Sequence, residues 1–193
     1  MDGAFGGFEN LQTVIIPANS QLENIGISAF QNCFALQSIQ LPASVTKLGK
    51  GAFRNCESLE AMDLTDTGIT VIDENTFDGT KSMVTLCLPG NLLTIGKRAF
   101  YGTGAQELDI PASVTVIGDS AFENAAALKT ITFAPDSMME TLGSEETNSR
   151  IFKGTTSLDM VILPNILQTI GNEVFAGSGV KEVKMTDSSV PSE

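Results

Sequence analysis

The sequence predicts one solenoid running through residues 1–193: about eight stacked repeats of about 23 residues. A parallel β-sheet lines its concave face, with short strands and helical or 3₁₀ turns elsewhere. Three observations predict it. Phenylalanine recurs as Phe5, Phe30, Phe53, Phe77, Phe100, Phe122, Phe152 and Phe175, at intervals of 25, 23, 24, 23, 22, 30 and 23 residues. A mostly small residue follows three positions later, as in Cys33, Cys56, Thr80, Thr103, Ala125, Thr155 and Ser178; Phe8 is the exception. Each unit then carries an alternating apolar run and a second apolar pair, closed by glycine in most units.

Each element has a physical reason. The run Leu36-Gln37-Ser38-Ile39-Gln40-Leu41 has period two, so it reads as a strand with Ile39 and Leu41 inward and Ser38 and Gln40 outward. Proline directly after the run (Pro17, Pro42, Pro89, Pro111, Pro164) lacks an N–H and ends the strand at a bend. Gly26, Gly49, Gly96, Gly118, Gly143 and Gly171 close the second apolar pair, which predicts positive φ there; Asp73 stands in this position once. From Ala52 to Leu59 every third residue is apolar, which predicts a short helical or 3₁₀ turn. A unit of this size cannot bury its apolar side alone. Right-handed stacking at roughly 4.8 Å per repeat hides it and gives a body roughly 35–40 Å long. The unit after Phe122 is longer by seven residues, which places a loop insertion at about 134–150.

Composition excludes several function classes. The formal charge is −12, from 23 acids against 11 bases, which argues against nucleic acid and anionic lipid. There is no histidine, hence no imidazole acid–base work and no His-ligated zinc. No nucleophile–base pair stands at a motif spacing, so no enzyme is expected, and no cofactor. No apolar run approaches a transmembrane span, and the N-terminus is not a signal peptide. Cys33, Cys56 and Cys87 are expected as free thiols: Cys33 and Cys56 buried and one repeat apart, Cys87 on an outer strand face.

The phrase Leu41-Pro42-Ala43-Ser44-Val45-Thr46, with Leu48-Gly49, Ala52-Phe53, Cys56 and Leu59, resembles the BspA-like leucine-rich-repeat family. Ile110-Pro111-Ala112-Ser113-Val114-Thr115, with Gly118 and Ala121-Phe122, repeats it. The resemblance implies a curved leucine-rich-repeat solenoid. It also implies a secreted or surface-exposed microbial protein, with adhesion or host-protein binding as its usual role. The chain opens inside a repeat, at Gly3-Ala4-Phe5, and stops partway round another, at Met185 to Val190, so a piece of a longer protein is expected.

The candidate site is the outward sheet surface, expected as two columns. One runs Thr13, Ser38, Ala61, Thr85, Glu107, Thr130, Met160, Glu182; the other runs Ile15, Gln40, Asp63, Cys87, Asp109, Thr132, Ile162, Lys184. From these, Ile15, Gln40, Asp63, Cys87, Glu107, Asp109, Thr132, Met160, Ile162 and Lys184 form the candidate partner-binding face. Acids occupy its middle and apolar residues its ends. A protein partner is expected, among host matrix or plasma proteins; oligomeric state is left open. A structural spacer and a carbohydrate-binding module are the alternatives. The second would need clustered exposed rings, and only Phe34 and Tyr101 are candidates. Glu107 and Asp109 share one strand face and could at most hold a weakly bound calcium; Asp63, roughly 9.6 Å away, could not join them.

Overall fold

The computed structural model of the protein describes residues 2–186. The run Asp187-Ser188-Ser189-Val190 lies outside the described residues. Eight strands build the strand face: β1 (Thr13–Val14), β3 (Ser38–Ile39), β5 (Ala61–Asp63), β7 (Thr85–Cys87), β9 (Glu107–Ile110), β11 (Thr130–Phe133), β13 (Met160–Leu163) and β15 (Glu182–Met185). Seven two-residue strands formed by the second apolar pairs alternate with them: β2 (Asn24–Ile25), β4 (Lys47–Leu48), β6 (Val71–Ile72), β8 (Thr94–Ile95), β10 (Val116–Ile117), β12 (Thr141–Leu142) and β14 (Thr169–Ile170). All pairing is parallel, between corresponding strands of neighbouring repeats. Thr130, for example, faces Glu107 on one side and Met160 on the other.

The phenylalanines form one column through the core. Consecutive rings from Phe5 to Phe175 lie 5.2–5.4 Å apart at 2–12°. Phe30 to Phe152 are buried. Phe5, 44% exposed, and the half-buried Phe175 sit on the end rungs, each stacked on one side only. Phe8, the large residue at the small-residue position, is 55% exposed on the first described repeat.

The segment around each Phe corrects two expectations. It is a run of turns, and no α- or 3₁₀-helix occurs among the described residues. Positive φ does not fall on the closing glycines, Gly143 excepted; it falls two residues before and two residues after every repeat Phe. The position after is Gly7, Asn32, Asn55, Gly79, Gly102, Asn124, Gly154 or Gly177, the two residue types that best tolerate it. These left-handed residues break any helix. They also aim alternate N–H groups at the next repeat: Ser28, Phe30 and Asn32 donate to the carbonyls of Lys50, Ala52 and Arg54 at 2.7–2.9 Å. The closing glycines serve close approach instead. A Cβ on Gly49 would stand 2.5 Å from the Ile27 nitrogen, and one on Gly118 would stand 2.6 Å from the Lys97 nitrogen.

The recurring Pro-Ala-Ser-Val phrase is a hydrogen-bonding unit. Val45 and Val114 donate their N–H to the carbonyls of Pro42 and Pro111, at 3.0 and 3.1 Å. The Ser44 hydroxyl lies 2.8 Å from the carbonyls of Ser20 and Leu22 one repeat back, and Ser113 repeats this against Gly90 and Leu92. The small residue after each Phe is often a donor. Cys33 and Cys56 point Sγ–H at the carbonyls of Phe5 and Phe30, and Thr80 and Thr155 donate to the carbonyls of Phe77 and Phe152.

The insertion divides into two pieces. Two extra residues enter between Phe133 and Leu142, where Ser137 and Met139 are buried and Met138 is exposed. Five more enter between Gly143 and Phe152, with Glu145 to Asn148 exposed. The Ser144 N–H donates 2.6 Å to the buried Ser149 Oγ and pinches the base of that loop. Here the sheet of short strands breaks: β10 pairs only with β8, and β12 only with β14.

Candidate functional site

The strand pairing fixes which outward residues stand together. Asp63 faces Cys87 across β5 and β7; Asp109 faces Thr132, and Thr132 faces Ile162, which faces Lys184. Ile15 and Gln40 lie one residue past the ends of β1 and β3. Ile15 is 87% exposed, and Gln40, Asp63, Glu107, Asp109 and Lys184 are exposed too. Cys87, Thr132, Met160 and Ile162 are half-buried. Lys184 also arches back, with its Nζ 3.9 Å from the Met160 sulfur and 3.2 Å from Glu182.

The middle of the face is not flat. A hollow of about 450 Å³ is lined by Thr65, Leu86, Cys87, Leu88, Asp109, Ile110, Pro111, Thr132 and Ala134. A second, of about 210 Å³, lies against Ile39, Gln40, Leu41, Asp63, Thr65, Asp66 and Thr67. A third, of about 300 Å³, runs from Val84 past Cys87 to Glu107 and Asp109. The first two share Thr65, and the first and third share Cys87 and Asp109, so the three adjoin. Asp63, Cys87, Glu107, Asp109 and Thr132 are thereby brought together. Ile15 stands at one end of the stack and Met160, Ile162 and Lys184 toward the other.

No ion pair among the described residues compensates the charges there. Among the described residues, ion pairs join Glu57 to Lys81, Glu74 to Lys50, Asp78 to Arg54 and Arg98, Asp159 to Lys181, Glu173 to Arg150 and Lys153, and Glu182 to Lys184. None involves Glu60, Asp63, Glu107 or Asp109. The Asp63 carboxylate accepts hydrogen bonds from the Thr65 N–H at 3.0 Å and the Thr65 hydroxyl at 2.7 Å; these hold its carboxyl below the usual range. Burial, then Asp63 and Asp109, push the Cys87 thiol up, so it stays a neutral thiol between two carboxylates.

A third outward column escaped sequence reasoning: Gln12, Gln37, Glu60, Val84, Gln106, Lys129, Asp159 and Lys181, exposed apart from the half-buried Gln106. The signal was present, since these residues directly precede the first expected column and each N–H from Gln37 onward donates to the repeat before. The ring candidates do not cluster on this face. Tyr101 lies on the turn segment, its ring capped by the Arg98 guanidinium at 3.6 Å and its hydroxyl accepting from Asn124 at 2.6 Å. Phe34, 37% exposed, stands alone. Among the described residues no three Cys, Asp or Glu side chains converge as metal ligands, and no helix is long and apolar enough to cross a membrane.

Comparison with known proteins places this architecture. The BspA type Leucine rich repeat region matches in six copies, over residues 1–129 and 70–191. No curated protein matches the chain. Among solved structures, a leucine-rich repeat protein from Bacteroides ovatus is 33% identical, with a TM-score of 0.79, covering 92% of this chain and 46% of its own. A leucine rich cell surface protein from Faecalibacterium prausnitzii is 26% identical, with a TM-score of 0.70, over 95% of this chain and 57% of its own. A leucine rich repeat protein of T. pallidum, 23% identical with a TM-score of 0.66 over 90% of this chain and 72% of its own, shares the fold. The chain thus spans about half the length of the first two structures it matches. With its repeat matched across nearly every turn, the chain belongs to the BspA type leucine-rich-repeat family.

Proposed function

We propose that the protein is a non-enzymatic interaction module of a cell-surface or secreted protein. It binds a protein partner, of the host matrix or plasma class, through the strand face. The observation that carries this reading is the group of adjoining hollows around Asp63, Cys87 and Asp109, with carboxylates in their linings that no ion pair among the described residues engages. Solvated acids steer a basic partner and make association salt-dependent. Half-buried Met160 and Ile162 supply apolar contact farther along the face, where desolvation concentrates binding energy. The relative named as a cell surface protein supports the location.

The test is capture of immobilised matrix and plasma proteins by wild type and by the double variant Asp63→Lys, Asp109→Lys, at low and moderate salt. Both side chains are exposed, so the variant keeps its fold, checked by circular dichroism. Slower association of the variant, with a smaller salt dependence, is expected. Equal binding by both removes the strand face from the reading, and binding by neither favours a structural spacer.

A further inference from the structure

We infer that two copies of this chain pair face to face through their short strands, with the two stacks running in opposite directions. The contact surface is the outer side of the sheet that orders β4, β6, β8 and β10, together with the residue directly before each strand. Val71, Leu93 and Val116 stand on three consecutive rungs of it, each about half exposed. Val71 and Val116 pair with Thr94 from either side, and Leu93 directly precedes Thr94, so the three form one patch. Other exposed apolar residues, such as Phe5, Val183 and Met185, lie on the end rungs. This patch lies mid-stack, with a neighbouring rung on both sides, and still faces solvent. A contiguous apolar patch in such a place marks a contact surface.

The charges beside the patch select what covers it. Lys47 stands two rungs before Thr94, and Glu140, directly before β12, stands two rungs after it. Both are exposed, and neither joins an ion pair among the described residues. An apolar centre with a cation and an anion at equal distances on either side is complementary to itself, as an isologous contact requires. A two-fold axis through the Leu93 rung, in the plane of the contact and parallel to the strands, reverses the second stack. Leu93 then meets Leu93 of the second copy, Val71 meets its Val116, and Lys47 stands beside its Glu140. The last two contacts are each made twice. An axis along the stack would keep every rung against its own counterpart and bring Lys47 to Lys47 and Glu140 to Glu140, so charge selects the reversed arrangement. From β4 to β12 the contact spans four spacings, about 19 Å. An interface of that size belongs to the weak, reversible class. The strand face takes no part in it.

Sedimentation equilibrium on the full chain at low salt tests this pairing. The wild type is expected to pass from monomer to dimer across the micromolar range, and the dimer to weaken as salt rises. Leu93→Lys, which sets two ammonium groups together at the centre, should leave the chain monomeric with its circular dichroism unchanged. Lys47→Glu and Glu140→Lys should each weaken the dimer about tenfold or more, since each turns two attractive pairs into repulsive ones. An equimolar mixture of these two single variants should recover the dimer, because the mixed pair opposes unlike charges at both ends. The double variant Lys47→Glu, Glu140→Lys should dimerise like the wild type. A wild type that stays monomeric throughout, or association that Leu93→Lys leaves intact, overturns the interface. A mixture that associates no better than its two components overturns the reversed arrangement.

Discussion

Replacing Phe100 by alanine tests whether the ring column holds the solenoid together. Phe100 is fully buried and lies 5.2 Å from both Phe77 and Phe122, each at 7°. Deleting a buried phenylalanine ring costs about 3–5 kcal/mol. The upper half of that range is expected here, because two neighbouring rings lose a stacking face and the site cannot collapse. Phe77 donates its N–H to Ala99 at 2.7 Å and Phe100 donates to Ala121 at 2.8 Å, which hold the backbone spacing above and below. Phe5→Ala is the internal comparison. That ring is 44% exposed and stacks on Phe30 alone, so its loss should cost about 1–2 kcal/mol. Urea unfolding followed by far-ultraviolet circular dichroism reads both, with the denaturant slope checked for constancy. Equal losses in the two variants, or a loss below about 1.5 kcal/mol for Phe100→Ala, would refute the column as the main source of stability.

The remaining predictions use the same backbone. Gly118→Ala places a Cβ 2.6 Å from the Lys97 nitrogen and should cost about 1–3 kcal/mol, whereas Gly90→Ala meets nothing within 4 Å and should be neutral in the same melt. Thiol titration of the native protein should label Cys87 first and leave the buried Cys33 and Cys56 for the unfolded chain; rapid reaction of all three contradicts the fold. Burial first, and Cys33 second, push the Cys56 thiol up to about 12. An unfolded thiol ionises near about 8.5, so this contribution to stability is full below that pH and declines as pH climbs toward the folded value. Cys56→Ala should therefore flatten the alkaline loss of stability, and an unchanged slope would count against the buried thiol as its source.

The Phe interval was legible because a large ring at fixed spacing has one place to go: every interior repeat buries it. Strand direction was legible too, since Ile39 sits inward and Ser38 and Gln40 outward, as period two requires. The turn segment was misread because its apolar spacing imitates a helix. What distinguishes it is backbone chirality, carried by Gly or Asn two residues after each Phe. The closing glycines were read for conformational freedom when their cause lies in the preceding repeat, at a distance no local pattern displays. At the candidate face, which residues point outward could be read from alternation. The hollows could not, because their linings draw on residues from several repeats, such as Thr65, Leu88 and Pro111.

Because Gly or Asn after the Phe sets the turn within a repeat, and ring, strand and turn meet only the repeats on either side, the interior junctions before the insertion are alike. In genetic terms the repeat is an exchangeable cassette. An in-frame duplication or loss by recombination between the two copies of the Pro-Ala-Ser-Val-Thr phrase, at residues 42–46 and 111–115, moves three units and rejoins like to like. Each event would lengthen or shorten the stack by about 14 Å, three rungs of about 4.8 Å, and add or remove three rows of outward residues. A lineage carrying this chain can therefore vary the extent of its exposed surface, and the spacing of carboxylates on it, without a substitution in the core.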